Sequence, residues 1–498
     1  MDRACKGILF VSEKMQGFID QAFGVHVMLD NSLIFLTLIT WKSSVKWSWI
    51  VIVKIQIHVA LKYHLTDYIS IISKKKVFYF SRVIVIKYIK FNCNMIFNKL
   101  RKKILMIGGV FMAFSFQVKA SHYSSEINSD AVRLVVNDAI AWQIQNMPMK
   151  GRQIWNSQFT GWADGVFISA VADWANYDNS RDFKKWFHTI AEQKCWEVGP
   201  RSLNPANDIA ISIAYARIWQ DNPLPKYTVD SINCWDKDMV MNLYGGWGPL
   251  IPTIERLDYQ MRYYPQTDNL RFEIPQNQER WCWCDALYMA APTYALYANI
   301  TQNSEYRDFM DREFWETKKA LYDTQEHLFY RDTRFITKRE ANGKKVFWGR
   351  GNGWVVGAIA RILDFLPKNY HSHSKYVGLF QEMMSRIITL QDAKGYWHTS
   401  LLDYETYTSP ETSASGFFTY ALWWGINRGF LDEAKFLLPA TKAWQAMVTA
   451  VHPNGMLGYV QPIGDAPQNI TADKNEVYGT AAFALAGLEV ARYAERKK

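Results

Sequence analysis

Residues 280–289 read Arg280-Trp281-Cys282-Trp283-Cys284-Asp285-Ala286-Leu287-Tyr288-Met289. Two tryptophans precede Asp285, and an apolar segment follows it to about Asn299. The apolar spacing predicts a helix with Asp285 in its first turn, where the helix dipole favours a charged carboxylate. On position alone, an acid that only begins a helix is the commoner case. The aromatic rings shift the balance, because rings stack on sugars and a desolvated carboxyl group can transfer protons.

A second stretch, Phe347-Trp348-Gly349-Arg350-Gly351-Asn352-Gly353-Trp354, supplies groups that the first stretch lacks. Its three glycines permit close backbone approach. Arg350 could bind a ligand carboxylate through two parallel N–H groups, or it could form a structural salt bridge. Trp348 and Trp354 could stack on a sugar or close the core. We expect the two stretches to form two walls of one pocket.

Helical periodicity extends over almost the whole chain after Ser129. The predicted helices are 131–146, 161–177, 180–193, 206–220, 250–262, 285–299, 303–322, 353–366, 374–393, 411–428, 431–450 and 477–495. Pairing of these helices across short turns predicts an all-α fold, an (α/α)6 barrel of six helical hairpins. A superhelical repeat array is the alternative, but the sequence has no strict period to support it.

Some connections between the predicted helices are long. Residues 223–248 and 263–280 are irregular, and loops of this length in a compact domain are usually functional. Residues 338–347 contain Asn342-Gly343 and predict a small β-hairpin. Because no low-complexity linker interrupts residues 121–498, we predict one catalytic domain there.

The net charge of +10 is unevenly distributed over the 498 residues. Residues 1–120 carry a net charge of +13, whereas residues 121–498 carry a net charge of −3. The basic character therefore belongs to the N-terminal part. On this ground we exclude a nucleic-acid partner for the main domain.

Residues 95–120 have the three parts of a secretory signal peptide. Residues 98–103 are basic, residues 104–116 are apolar, and Val118-Lys119-Ala120 is a small-x-small cleavage site. A buried helix is the alternative. The signal peptide predicts secretion, into the periplasm, with no stable membrane anchor after cleavage.

About 94 residues precede this segment, although a signal peptide normally begins a chain. We therefore predict that Met95 is the native start and that residues 1–94 are a non-native upstream extension. Within that extension, Ile50–Ile57 predicts a strand. A genuine basic extension that associates with membranes is the alternative.

Four cysteines follow position 120: Cys195, Cys234, Cys282 and Cys284. They define no disulfide framework and no zinc spacing, so we expect buried thiols. We find no phosphate-binding loop, no Gly-x-Ser-x-Gly elbow and no His-Glu-x-x-His motif. The sequence therefore requires no metal and no organic cofactor.

Asp208 follows Asn204-Pro205-Ala206-Asn207 at another predicted helix start. It could be an ordinary cap, or the second carboxylate of an acid–base pair. Residues 411–416 are predicted to cap a further helix. Arg331 and His398 are weaker polar candidates.

Taken together, residues 280–289 and 347–354 resemble glycoside hydrolase family 105, the unsaturated rhamnogalacturonyl hydrolases, which is related to the unsaturated glucuronyl hydrolases of family 88. The likeness extends from about Ala131 to about Arg492. It includes residues 161–165, 328–332, 411–416 and 478–480 and the predicted helix with Asp208. It does not cover residues 1–94.

The resemblance implies an (α/α)6 barrel that removes a 4,5-unsaturated uronic acid from the non-reducing end of oligosaccharides made by polysaccharide lyases. An acid protonates C4, and C5 and the ring oxygen share the resulting positive charge. Water then adds at C5 with the help of a base, and the hemiketal opens to release the linked sugar.

The resemblance also implies roles for individual residues. Asp285 matches the general acid/base, and Asp208 resembles the second acid, which positions substrate and assists proton transfer. The residues matched to substrate binding are Arg350, near the uronate carboxylate, together with Trp348, Trp354, Trp283, Arg331 and Trp162. Arg331 stands where some members have histidine, and Asn207 stands in place of an acid before Asp208. Both departures concern the linked sugar more than the reaction.

Two kinds of alternative remain at this point. One is another (α/α)6 enzyme, such as a family 88 hydrolase that acts on glycosaminoglycan fragments. The other is a periplasmic oligosaccharide-binding protein that has lost catalysis and for which both acids are dispensable.

Overall fold

The computed structural model describes residues 19–29, 32–43, 46–56, 123–147, 160–179, 181–200, 204–221, 248–265 and 267–498. The chain divides into two compact units, Met1–Ser115 and Phe116–Lys498. The predicted signal peptide at 95–120, Cys234 and nearly all of the predicted loop 223–248 lie outside the described residues.

The first unit contains a three-stranded antiparallel sheet in the order β1-β2-β3. Its strands are β1 (Ile19–Leu29), β2 (Ser32–Ser43) and β3 (Lys46–Gln56). Valine, isoleucine and tryptophan, which favour strands, dominate β3. The strand predicted at Ile50–Ile57 is confirmed as the second half of β3.

The regular secondary structure in the described part of the second unit is almost entirely helical. Its helices are α1 (Ser129–Asn146), α2 (Trp162–Tyr177), α3 (Phe183–Gln193), α4 (Pro205–Asp208), α5 (Ser212–Asp221), α6 (Ile251–Tyr263), α7 (Ala286–Thr301), α8 (Ser304–Leu321), α9 (Gly349–Phe365), α10 (His373–Ile387), α11 (Thr412–Arg428), α12 (Glu433–Thr449) and α13 (Val477–Arg496). Two short strands, β4 (Tyr322–Asp323) and β5 (Leu328–Phe329), pair antiparallel after α8.

Six of these helices close a ring, in which α2 packs on α5, α5 on α7, α7 on α9, α9 on α11, α11 on α13 and α13 on α2. Helices α1, α3, α8, α10 and α12 each pack against a member of the ring. Helix α6 joins α7, where the Tyr294 hydroxyl donates to the Leu257 carbonyl at 3.2 Å. The arrangement confirms the predicted (α/α)6 barrel.

Burial explains which helices form the ring. Every residue of α11 from Thr412 to Ile426 is buried, as expected for a helix with neighbours on all sides. The outer helix α10 instead buries a single stripe, which consists of Tyr376, Leu379, Phe380, Met383, Met384 and Ile387. Helix α11 of the ring is therefore enclosed by neighbours, whereas the outer helix α10 is amphipathic.

Three of the predicted helices have wrong boundaries. The helix predicted at 353–366 begins four residues earlier, at Gly349, so the glycine-rich stretch lies inside it. The predicted helix 206–220 is divided into α4 and α5, and side chains bond two carbonyls at the division, one between the helices and one at the start of α5. Ser169 Oγ donates to the Ala210 carbonyl and Tyr297 Oη donates to the Ser212 carbonyl. The helix predicted at 374–393 ends at Ile387, and a 3-10 turn over Ile388–Leu390 follows.

The hairpin predicted at 338–347 is present as a single antiparallel bridge between Arg339 and Lys345. Gly343 turns the chain with φ +81°, a conformation that favours glycine. Among the helices that the structure describes, none combines the length and apolarity needed to cross a membrane.

Candidate functional site

Asp285 occupies the position immediately before the first turn of α7. Its carbonyl accepts the Tyr288 and Met289 N–H groups at 3.0 and 3.2 Å, so it begins the helix as predicted. Its side chain is only 13% exposed. The residues before it are joined to a neighbouring segment, since Trp283 bridges to Asp332 and the Cys284 N–H donates to the Arg331 carbonyl at 2.8 Å. These contacts place Arg331 beside the carboxyl group.

The Arg331 guanidinium lies between two carboxylates. Its Nε is 3.5 Å from Asp285 Oδ2, and its Nη1 donates to Asp332 Oδ2 at 2.7 Å. Arg334 also holds Asp332, through bonds of 2.9 Å from Nε and 2.8 Å from Nη2. The Phe272 ring packs against both guanidinium groups, at 4.7 and 4.3 Å. Asp332 and Phe272 therefore fix the orientation of Arg331 toward Asp285.

The two carboxyl groups differ in their affinity for protons. Burial raises the pKa of Asp285, and the nearby charges of Arg331 and Arg350 oppose this effect without cancelling it. Burial alone would also raise the pKa of Asp332, but hydrogen bonds from Arg334 and Arg331 hold it below its ordinary value. Asp285 is therefore suited to hold and release a proton, whereas Asp332 stays charged.

The second stretch forms the first turns of α9, and its glycines permit close packing as expected. A Cβ atom on Gly349 would lie 2.4 Å from the His398 carbonyl oxygen, and one on Gly351 would lie 3.0 Å from Cys284 Sγ. Asn352 Oδ1 accepts the Phe329 N–H at 2.8 Å. The start of α9 is thus held against Cys284 and β5.

Arg350 is only 1% exposed, and it is bound to backbone groups. Its Nη1 and Nη2 donate to the Gln461 and Pro462 carbonyls at 2.6 and 2.9 Å. Its guanidinium lies between the rings of Trp348 and Tyr478, at 4.4 and 4.7 Å. In this structure Arg350 anchors the loop at 461–462 and contributes positive charge near Asp285.

The predicted tryptophans differ in exposure. Trp283, Trp348 and Trp354 are buried, and Trp354 packs between Tyr288 and Phe417 at 4.8 and 4.5 Å. Trp162 is half-buried and stacks on Tyr478 at 5.4 Å. Of the four rings, Trp162 therefore has the largest surface left for a ligand.

Asp208 is the last residue of α4, and the contacts of its carboxylate differ from those of Asp285. It is 3% exposed, and its Oδ2 accepts from Arg256 Nη1 at 2.8 Å. Arg256 borders a cavity of about 290 Å³ that is lined by Glu197, Val198, Gly199, Pro200, Pro252, Glu255 and Arg256. A Cβ atom on Gly199 would lie 3.1 Å from the carbonyl of Thr160, two residues before Trp162. The backbone at Thr160 therefore packs against Gly199, which lines the cavity.

The structure adds residues that sequence reasoning missed. Phe272, Asp332 and Arg334 orient Arg331. The Gln461 side-chain oxygen accepts the Trp348 indole N–H at 2.8 Å, and the Gln461 carbonyl accepts the Arg350 guanidinium. For Asp332 and Arg334, the sequence signal was the run Arg331-Asp332-Thr333-Arg334, in which two arginines flank an acid. The partners of Arg350 lie more than a hundred residues away along the chain.

The remaining candidates have structural roles. Glu411 caps α11 as predicted, because its carboxylate accepts the Ser413 and Ala414 N–H groups at 3.0 and 2.6 Å. His398 is 7% exposed, with Nδ1 2.9 Å from the Ser409 carbonyl and Nε2 3.3 Å from Asp392.

The expectation of buried thiols holds for Cys282 and Cys284. It is wrong for Cys195, which is disulfide-bonded.

Comparisons with known proteins identify the family of the chain. Residues 249–494 match the family model Glycosyl Hydrolase Family 88. The unsaturated 3S-rhamnoglycuronyl hydrolase of Formosa agariphila is 35% identical over 379 residues, which are 74% of this chain and 93% of the relative. A solved glycosyl hydrolase family 88 protein from Bacteroides vulgatus is 25% identical, with a TM-score of 0.62 over 74% of this chain and 99% of that chain. A solved protein named polysaccharide lyase is 27% identical, with a TM-score of 0.62 over 74% of this chain and 98% of that chain.

The fold and these matches define a glycoside hydrolase built on a helical barrel. Within that class, the chain belongs to the unsaturated uronyl hydrolases related to glycoside hydrolase families 88 and 105.

Proposed function

We propose that the protein removes a terminal 4,5-unsaturated uronic acid from an oligosaccharide by hydration of its C4=C5 bond, with Asp285 as the general acid/base. One observation carries this proposal. Asp285 is a buried carboxyl group with a raised pKa, and it lies beside the Arg331 guanidinium. A raised pKa favours the protonated form that a general acid needs, and the adjacent cation suits a substrate with a carboxylate.

The protonated Asp285 carboxyl donates its proton to C4, and positive charge develops on C5 and the ring oxygen. Water adds at C5 and returns a proton to the Asp285 carboxylate, which restores the starting state. The resulting hemiketal opens and releases the linked sugar. We propose that Asp208 positions the substrate and assists proton transfer from its place beside Arg256.

Substrate binding is assigned to the residues around Asp285. Arg331 and Arg350 provide the positive charge that attracts the uronate, and the half-buried Trp162 provides a ring face for a sugar. Trp283, Trp348 and Trp354 form the buried aromatic support behind these groups. In this proposal, Arg350 acts on the uronate through its charge while its N–H groups hold the 461–462 loop.

We infer that the linked sugar is a 3-sulfated rhamnose. The name of the Formosa agariphila relative, which this chain covers over 93% of its length, supports this choice. The assay would use unsaturated uronyl disaccharides whose reducing sugar is 3-sulfated rhamnose, unsulfated rhamnose or a hexosamine. Ultraviolet absorbance of the C4=C5 bond should disappear fastest with the sulfated rhamnose. Faster loss with hexosamine would instead favour a glycosaminoglycan hydrolase.

The structural neighbour named polysaccharide lyase favours one rival activity. A lyase forms the double bond that a hydration enzyme consumes, so the two activities change ultraviolet absorbance in opposite directions. Incubation with the intact parent polysaccharide provides the test. A rise in absorbance there, with no loss on the disaccharides, would replace hydration with elimination.

Export to the periplasm is proposed on the basis of residues 95–120, which have the composition of a signal peptide. Cleavage after Ala120 would leave Ser121 as the mature N-terminus. N-terminal sequencing of the native protein from a periplasmic fraction would test both export and the origin of residues 1–94.

A further inference from the structure

Cys284 is fully buried where three segments of the candidate site meet. Its N–H donates to the Arg331 carbonyl at 2.8 Å. Its thiol donates to Asp285 Oδ2, with Sγ and Oδ2 3.5 Å apart. The same sulfur packs against Gly351, where an added Cβ atom would lie 3.0 Å from Sγ. Cys284 therefore contacts the proton-transfer acid, the segment that carries Arg331 and the helix turn that carries Arg350.

The thiol can act only as a neutral donor in this position. Burial and the adjacent Asp285 carboxylate raise the pKa of Cys284 well above its ordinary value, so the proton stays on sulfur. Asp285 Oδ2 faces this thiol on one side and Arg331 Nε on the other, each at 3.5 Å. Two contacts on one oxygen restrict rotation of the carboxyl group.

We propose that Cys284 is a positioning residue, whose thiol fixes the orientation of the Asp285 carboxyl group for proton transfer. The inference rests on the proposed function, because it assigns Asp285 a proton-transfer role. The charged groups that face Asp285 are Arg331, from the 330–334 segment, and Arg350, from α9. The Cys284 thiol contacts the Asp285 carboxyl group directly, so Asp285 is the group whose titration should respond to substitution of Cys284.

Cys282 provides a matched control. It is a free thiol, as fully buried as Cys284 and two residues earlier in the same stretch. The carboxylate that acts on its pKa is Asp332 rather than Asp285. Substitution at Cys282 therefore tests the packing cost of losing a buried sulfur without removing the contact to Asp285.

The experiment compares Cys284→Ala, Cys284→Ser and Cys282→Ala in the full chain, with kcat, KM and pH profiles measured on the unsaturated disaccharides. We expect Cys284→Ala to lower kcat about tenfold with little change in KM. Loss of a donor to the charged carboxylate raises the pKa of Asp285, so the alkaline limb of the kcat profile should move up by about 0.5 pH unit. Cys284→Ser keeps a donor and should restore most of the rate, and Cys282→Ala should match wild type.

A wild-type rate and pH profile in Cys284→Ala would overturn the positioning role. An equal loss in Cys282→Ala, together with a lower unfolding temperature, would also overturn it, since packing would then explain both variants. The infrared S–H stretching band gives a readout that does not depend on turnover. The band lost in Cys284→Ala should lie at lower wavenumber than the band lost in Cys282→Ala. Equal band positions would contradict the contact between the Cys284 thiol and Asp285. This test would still apply if the wild-type protein proved inactive and the proposed function failed.

Discussion

Asp285 and Asp332 show how partners decide what a buried carboxyl group can do. Asp332 accepts hydrogen bonds from two arginines, whereas the Arg331 Nε approaches Asp285 only to 3.5 Å. Burial therefore dominates at Asp285 and raises its pKa, while the arginines dominate at Asp332 and lower it. Two buried aspartates of one cluster therefore have pKa values that are shifted in opposite directions.

Replacing Asp285 with asparagine should reduce kcat by at least about a thousandfold, because the amide cannot transfer the proton. The fold should be unchanged, with an unfolding temperature near that of wild type. Glu340→Gln is the matched control, since burial also raises the pKa of Glu340, whose carboxylate accepts the Ser400 hydroxyl at 2.7 Å. Near-normal turnover by a folded Asp285→Asn variant would remove Asp285 from catalysis.

Arg331→Gln should raise the pKa of Asp285 further, because Arg331 is the larger of the two nearby charges that lower it. Asp285 acts first as an acid, so activity is lost as pH rises through its pKa. The alkaline limb of kcat/KM should therefore move to higher pH by about one unit, with a higher KM for the anionic substrate. Arg339→Gln is the control, since its guanidinium donates to the Ile336 and Lys338 carbonyls at an exposed position. A limb that stays in place or moves to lower pH would contradict the electrostatic role of Arg331.

Some of these residues could be predicted from the sequence, and others could not. Asp285 was predicted because aromatic residues and a helix start surround it locally. The sequence left open whether Arg350 binds a ligand or anchors the fold, because its carbonyl partners at 461–462 lie far along the chain. Phe272 was missed for the same reason, since its contacts with Arg331 and Arg334 depend on how a long loop returns to the barrel.

At the scale of elements, helix ends organise the site more than helix interiors do. The carboxylate of Glu411 caps α11, accepts the Ser413 hydroxyl at 2.6 Å and also accepts the Gln461 N–H at 3.0 Å. Gln461 in turn binds Trp348 and Arg350. One helix cap therefore joins α11, α9 and the loop that follows α12.

Glu411→Ala should lower the free energy of unfolding by about 3–5 kcal/mol, because several buried donors lose their acceptor. Asp432→Ala is the matched control, since Asp432 also caps a helix but is exposed and accepts the Ala434 N–H alone, at 3.0 Å. Its substitution should cost about 1 kcal/mol. Chemical denaturation of both variants provides the measurement, and equal losses would show that Glu411 is an ordinary cap.

Helix positions were predictable because apolar periodicity is local. The break between α4 and α5 was not, since the carbonyls at Ala210 and Ser212 are bonded by side chains from α2 and α7. Tertiary contacts there outweigh the helical preference of the segment.

At the scale of the whole molecule, a buried ion network joins non-adjacent parts of the ring. Asp173 on α2 accepts from Arg217 Nε on α5 at 2.8 Å and also from Arg361 on α9. Burial alone would raise the pKa of Asp173, but these two arginines lower it. The network extends to the site, because Arg361 Nη1 donates to the Tyr288 hydroxyl at 3.0 Å.

The lowered pKa values predict how stability depends on pH. Asp173, Asp332 and Asp392 have pKa values below their ordinary range, and hydrogen bonds lower that of Asp323 to about 2. A depressed folded-state pKa contributes stability that is complete above the unfolded pKa of about 4 and is lost as pH falls through the folded value. The contribution of these four aspartates to the free energy of unfolding should therefore be complete above about pH 5 and decline below about pH 4.

Denaturant titrations from pH 3 to pH 7 would measure this decline. Asp173→Asn should reduce stability at pH 7 and make the decline at acid pH shallower, because one of the responsible groups no longer titrates. An equally steep decline in this variant would exclude Asp173 as a contributor.

The central claim is that Asp285 protonates C4 of an unsaturated uronyl group. The most direct test is turnover of the preferred disaccharide in D₂O, followed by NMR of the released uronic-acid product. Hydration predicts one deuterium at C4, loss of the C4=C5 absorbance and neither change with Asp285→Asn. Release of a uronic acid that keeps its double bond and carries no deuterium would show ordinary glycoside hydrolysis and contradict the account.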